Sequence, residues 1–215
     1  MRSILHAALG AAALLTASAC STAYYDAMER IGFEKRDILV DRVEDGREAQ
    51  ADAQEEFKDA LTQFRALVAV DGGALEKKYD KMSGSYDRLE READEVRARI
   101  DAIEDVGEAL FREWEDELGL YQDASLRNIS AQQLRETQAQ YDQVVRAMNR
   151  AAAKMDPVIE LFEDRVLFLK HNLNARAVAG LSGELRSIET RVDALIAEMD
   201  AAIAEANAFI DQMQA

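Results

Sequence analysis

Residues 75–114 read LEKKYDKMSGSYDRLEREADEVRARIDAIEDVGEALFREW. Within them Leu75, Tyr79, Met82, Tyr86, Leu89, Ala93, Val96, Ile100, Ile103, Gly107, Leu110 and Trp114 recur at alternating steps of four and three. That spacing is an a/d seam, which winds apolar residues along one side of an α-helix and keeps them facing a partner helix. The residues between them are mostly Glu, Asp, Arg and Lys, as a solvated helix face requires.

The pattern extends outward in both directions. A second seam runs Leu134, Gln138, Tyr141, Val145, Met148, Ala152, Met155, Ile159, Phe162, Val166, Leu169, Leu173. A third runs Leu181, Leu185, Ile188, Val192, Leu195, Met199, Ala202, Ala206, Phe209, Met213. The segment before residue 70 is less regular. Ile38 and Val43 lead, Gly46 and Gln50 weaken the stripe, and Ala53, Phe57, Leu61, Phe64 and Val68 restore it. The breaks are Asp71-Gly72-Gly73, the 118–130 region with a capping box at Ser130 to Gln133, and His171-Asn172-Leu173-Asn174. The expected helices are therefore 23–69, 74–120, 129–172 and 175–213. Pro157 falls inside the third. It either starts a new helix behind an Asp156 cap or kinks a continuous one, and the unbroken heptad phase favours the kink. Short turns between long helices force antiparallel neighbours. The expected fold is all-α, an elongated antiparallel four-helix bundle or coiled coil formed as a single domain by residues 20–215. Heptad seams also pair between chains, so a homo-oligomer stays open.

The first residues read as an address. Met1-Arg2 is a short positive start, and Ile4 to Leu15 is an apolar stretch. That stretch is shorter than the about 20 residues needed to span a bilayer, and it fits a signal peptide over residues 1–19. Leu15-Thr16-Ala17-Ser18-Ala19 then leads into Cys20, the chain's only cysteine. Small residues immediately before a cysteine resemble a bacterial lipobox, in which the cysteine becomes the first, lipidated residue. Ser21 stands where an inner-membrane retention signal would commonly place Asp, so outer-membrane sorting on the periplasmic side is expected. Tyr24, Met28 and Ile31 form a small amphipathic stretch beside the anchor, suited either to the lipid headgroups or to packing on the bundle.

Composition excludes several functions. The net charge is −16, with 42 acidic against 26 basic residues, which repels nucleic acid. Loss of residues 1–19 would remove Arg2 and His6, leaving His171 as the single histidine. No Gly-x-x-x-x-Gly-Lys-Ser/Thr phosphate loop is present, nor a Gly-x-Ser-x-Gly elbow. One histidine and one cysteine do not make a zinc site, and Phe168 stands where a Glu-x-x-His di-iron motif would need Glu. We expect no metal, no cofactor and no enzymatic activity. Asp41, Glu44, Asp45 and Glu48 lie close together, but Arg42 and Arg47 interleave them, so a solvated charged face is expected. Asp87–Arg91, Glu95–Arg99, Glu108–Arg112 and Asp142–Arg146 sit one turn apart. Such pairs contribute only ~0.2–0.5 kcal/mol each. Trp114, Tyr79, Tyr86 and Tyr141 occupy seam positions and are expected in the core.

Three runs occur together in order: Glu34-Lys35-Arg36-Asp37-Ile38-Leu39-Val40-Asp41-Arg42-Val43-Glu44-Asp45, Ala109-Leu110-Phe111-Arg112-Glu113-Trp114-Glu115, and Val166-Leu167-Phe168-Leu169-Lys170-His171-Asn172-Leu173-Asn174-Ala175-Arg176. They resemble an uncharacterised bacterial family, the domain-of-unknown-function family 2959, over about residues 20 to 213. The resemblance implies a helical envelope lipoprotein and supplies no activity.

The function expected from these features is a non-enzymatic lipoprotein acting as a scaffold, spacer or adaptor in the envelope. It would be held to the membrane by its anchor and pair with an envelope protein. The alternatives are a membrane-remodelling or lipid-contact protein and, behind it, an enzyme with an unrecognised carboxylate site. An up-down-up-down bundle puts the first and third turns ~65 Å from the anchored end. The polar run His171, Asn172, Asn174 and Arg176 is then the candidate partner-binding tip, or a turn that satisfies its own helix ends.

Overall fold

The computed structural model describes Met28 and residues 34–69 and 75–214. Residues 1–19, expected as a signal peptide, and Cys20, Tyr24, Ile31 and the Asp71-Gly72-Gly73 turn lie outside the described residues. The long elements are α1 (Lys35–Val68), α2 (Leu75–Leu118), α3 (Ala124–His171) and α5 (Leu185–Gln214). A short α4 (Ala175–Leu181) and a 3₁₀ turn (Ser182–Glu184) precede α5. No strand occurs among the described residues. Helices α1 and α2, α2 and α3, α3 and α5, and α5 and α1 pack against each other, closing an antiparallel four-helix bundle. Helix α3 has 48 residues, a length of ~72 Å at 1.5 Å per residue.

The seams form one core. Phe57, Phe64, Phe162 and Phe209 are fully buried, together with Leu39, Leu67, Met82, Leu89, Ile103, Met148, Met155 and Leu169. Phe64 and Phe162 meet edge to face with centroids 6.4 Å apart. Met28, Tyr79, Tyr86 and Tyr141 are half-buried against this core. Phe111 and Tyr141 meet at 5.0 Å.

Gly46 and Gln50, which weaken the first stripe in sequence, are both buried. A Cβ on Gly46 would lie 2.8 Å from Ile103 Cδ1 and 3.3 Å from Met148 Cε, so the glycine admits side chains of α2 and α3 to the α1 backbone. One turn on, Gln50 donates to the Met148 carbonyl at 3.3 Å. Gly107 has the same role opposite Tyr141, whose ring would stand 2.5 Å from a Cβ there.

Several boundaries differ from expectation. Helix α3 does not start at a Ser130 capping box. Asp123 caps it, accepting from the amides of Ser125 and Leu126 at 2.7 and 3.3 Å, and the helix begins a turn and a half earlier. Ser130 is instead buried and accepts the Trp114 indole N–H at 2.8 Å. Pro157 lies within continuous α3, so Asp156 starts no new helix. The last segment is not one helix. Ser182 donates through its hydroxyl to the Ala179 carbonyl at 2.7 Å, its amide bonds the same carbonyl, and the backbone tightens into a 3₁₀ turn before α5.

Surface charges tie neighbouring helices. Arg88 on α2 reaches Glu56 at 2.7 Å and Asp59 at 2.9 Å on α1, and buried Ser85 donates to Asp59 at 3.1 Å. Of the expected one-turn pairs, Glu95–Arg99, Glu108–Arg112 and Asp142–Arg146 form. Arg91 bonds the Asp87 carbonyl rather than its carboxylate.

Candidate functional site

The two ends of the bundle carry its distinctive side chains. At one end the first and third helices finish. Lys78 of α2 donates to the Ala66 carbonyl at 2.7 Å, supplying a cation to the last turn of α1. Arg65 pairs with Glu189 of α5 at 2.7 Å, bringing the start of α5 to the same end. The run of residues 171–176 therefore sits at this end.

Within that run the asparagines bond to the chain's own backbone. Asn172 donates to the Phe168 carbonyl at 3.0 Å. Asn174 caps α4, accepting from the amides of Arg176 and Ala177 at 3.1 and 3.0 Å, and donates to the Asn172 carbonyl at 3.3 Å. His171 is exposed at the last position of α3. An open groove of about 630 Å³ lies beside the turn, lined by Asp164, Arg165, Phe168, Asn172, Asn174, Arg176, Ala177, Gly180, Leu181 and Glu184. Three of the four tip residues thus share one concavity, and His171 does not line it. Arg165 spans the groove wall, its Nε donating to Glu184 at 2.9 Å. Arg176 forms no ion pair among the described residues, and it shares the groove lining with the exposed Phe168. A planar guanidinium suits carboxylate or phosphate recognition.

At the opposite end a cavity of about 800 Å³ opens between the start of α1, the end of α2, the start of α3 and the end of α5. Lys35, only 3% exposed, lines it and pairs with Glu113 at 3.1 Å. Arg36 donates to the Met213 carbonyl, and Trp114 forms part of the wall. This pair escaped sequence reasoning, although Lys35 shares a helix face with Ile38 and Leu39 and so sits at a core position of the 3.6-residue period.

Three of the four acids in the α1 run, Glu44, Asp45 and Glu48, form ion pairs. Asp45 meets Arg42 at 3.2 Å and Arg99 at 3.3 Å, while Glu44 and Glu48 share Arg47. Among the described residues no group of three or more His, Cys, Asp or Glu is placed to hold a metal ion. On α3 and α5, Lys154 at 2.7 Å and Arg150 at 3.7 Å hold the Glu198 carboxyl below its ordinary pKa, the Lys154 hydrogen bond being the larger cause. Burial pushes the Tyr141 and Tyr86 phenols well above their usual range, and for Tyr86 a hydrogen bond to Glu90 adds to it. These phenols stay protonated and act as packing groups. No described helix is long and apolar enough to cross a membrane.

A long, acidic, antiparallel four-helix bundle with polar clusters at its ends is the class that the geometry defines. The model of a family described as a protein of unknown function, DUF2959, matches residues 24–213, and the chain belongs to that family. No curated protein and no solved structure matches the chain.

Proposed function

We propose that this chain is a non-enzymatic envelope lipoprotein, anchored through Cys20 on the periplasmic side of the outer membrane and acting as a scaffold, spacer or adaptor. The observation that carries the proposal is Leu15-Thr16-Ala17-Ser18-Ala19 leading into the chain's only cysteine. The bundle suits the role. Helices α2 and α3, of 44 and 48 residues and so ~66 and ~72 Å long, turn a lipid at one end into reach at the other. The paired acids on α1 support a solvated face rather than a carboxylate site.

The partner would bind at the far end, in the groove beside Asn172, Asn174 and Arg176. The asparagines tie this turn to its own helix ends, which lowers the entropic cost of presenting Arg176 to a partner. His171 would contribute only if a partner reaches over the rim of the groove. Crosslinking in cells, with His171 and Arg176 both replaced by alanine, tests the tip. Lost crosslinks with unchanged helicity and melting support it. Unchanged crosslinks return the residues to a turn that caps its own helices.

A further inference from the structure

The connection between α2 and α3 is built inside out. Ser130 is buried and occupied by the Trp114 indole, while the apolar side chains around it face solvent. Leu120 is 74% exposed and Leu126 and Ile129 are each 53% exposed, whereas the Tyr121 hydroxyl turns inward and donates to Ser130 Oγ at 3.5 Å. Leu126 and Ile129 are three residues apart on α3 and share one face. Single exposed apolar residues are ordinary, but three large aliphatic ones exposed within ten residues of one hairpin are a cluster. The only other exposed large apolar side chains among the described residues, Leu167 and Phe168, lie at the opposite end.

Position says what covers this patch. Lys35, at the start of α1, pairs with Glu113, and α2 runs on past Glu113 to Leu118 before the connection begins. Five more residues of helix carry the hairpin ~8 Å beyond the described start of α1. The chain before Lys35 leads back to Cys20 and enters the bundle at this end. Fully extended, that segment reaches at most ~50 Å, so a lipid on Cys20 can sit level with the hairpin tip. The flanking charges decide the lipid. Glu115, Asp116, Glu117 and Asp123 outnumber Arg127, which disfavours an anionic surface.

We infer that the 118–130 hairpin is a second membrane contact, dipping Leu120, Leu126 and Ile129 into a zwitterionic lipid surface. The inference rests on the proposed anchor for the location of the membrane. A lipid chain alone leaves a rod free to swivel, whereas a second contact at the same end sets its tilt.

The test places a tryptophan in the patch by Leu126→Trp, with Phe168→Trp as the far-end control and the wild type as reference for Trp114. Intact mass first establishes the state of Cys20. Lipidated protein is reconstituted directly into phosphatidylcholine vesicles; protein with a free thiol is coupled there to a maleimide phospholipid. Nitroxide groups on shallow acyl positions should quench the added L126W fluorescence at least twofold and leave that of F168W unchanged. Equal emission of L126W with and without nitroxide overturns the inference. So does shielding that depends on protein concentration rather than on lipid, which would make the patch a contact between copies of this chain. A free thiol together with quenching removes the anchor proposal but keeps the lipid contact. If L126W melts early, Ile129→Trp gives the same reading from the next turn.

Discussion

Trp114 and Ser130, on consecutive antiparallel helices, are joined by an indole N–H donated to a hydroxyl oxygen at 2.8 Å. The bond ties the end of α2 to the start of α3 just above the exposed hairpin. Trp114 is the chain's only tryptophan, so its emission reports on this end alone. Ser130 Oγ also accepts from the Tyr121 hydroxyl at 3.5 Å, so Ser130→Ala should lower stability by about 1–2 kcal/mol, the net worth of one good and one long part-buried hydrogen bond. It should also change the Trp114 emission spectrum. An unchanged spectrum and melting midpoint would show that the bond does not hold the hairpin.

Gly107 and Tyr141 test the close approach of α2 and α3. Alanine is a better helix former than glycine by about 1 kcal/mol, so propensity alone predicts that Gly107→Ala stabilises. The added Cβ would instead stand 2.5 Å from the Tyr141 ring. We expect net destabilisation of about 1–3 kcal/mol, as for other overpacked cores. Adding Tyr141→Leu should recover much of the loss. Denaturant unfolding of the two single variants and the double variant checks this.

Gln50 is fully buried, and its Oε1 has no hydrogen-bond partner among the described residues. Its Nε2 bond to the Met148 carbonyl is long, at 3.3 Å. Gln50→Met keeps the volume and removes the unpartnered oxygen, so stability should rise by about 1 kcal/mol. A fall of similar size would mean that Gln50 contributes more through its bond to α3 than its buried oxygen costs.

Glu198 links α5 to α3 through Lys154 and Arg150, and its pKa is lowered. A carboxyl with a depressed folded-state pKa contributes stability that is fully present above the ordinary glutamate value. That contribution is lost as pH falls through the folded value. Carbon-detected titration should therefore place the Glu198 midpoint below the usual ~4.3. Lys154→Ala should raise it. A midpoint at the ordinary value in the wild type would show that the ion pair does not persist in solution.

The long seams were legible because each keeps its period for many turns, and nearly all their members from Leu89 to Leu110 and from Ile188 to Met213 are buried. Gly46 and Gln50 misled because a stripe is judged by side-chain hydrophobicity. Their role depends on Ile103 and Met148, distant in sequence. The Ser130 capping box and Asp123 are both good starts on local chemistry. Burial of Ser130 under Trp114 decides between them, and burial is a tertiary fact. The 3₁₀ turn at Ser182 was hidden because the spacing of Leu181, Leu185 and Ile188 runs through it in phase. At the tip the asparagines read correctly as residues that bond helix ends. The groove beside them depends on Asp164, Arg165 and Glu184, brought together only when α3, α4 and the 3₁₀ turn pack. Leu120, Leu126 and Ile129 carry no sequence mark separating an exposed apolar residue from a buried one.

The central claim is the anchor, and intact mass with peptide mapping of the protein extracted from membranes tests it most directly. We expect the mature chain to begin at Cys20, with that residue carrying acyl chains. Cys20→Ser should abolish the added mass and release the protein into the soluble fraction. Wild-type protein that keeps residues 1–19, shows an unmodified Cys20 and still fractionates fully with membranes would contradict the lipoprotein proposal.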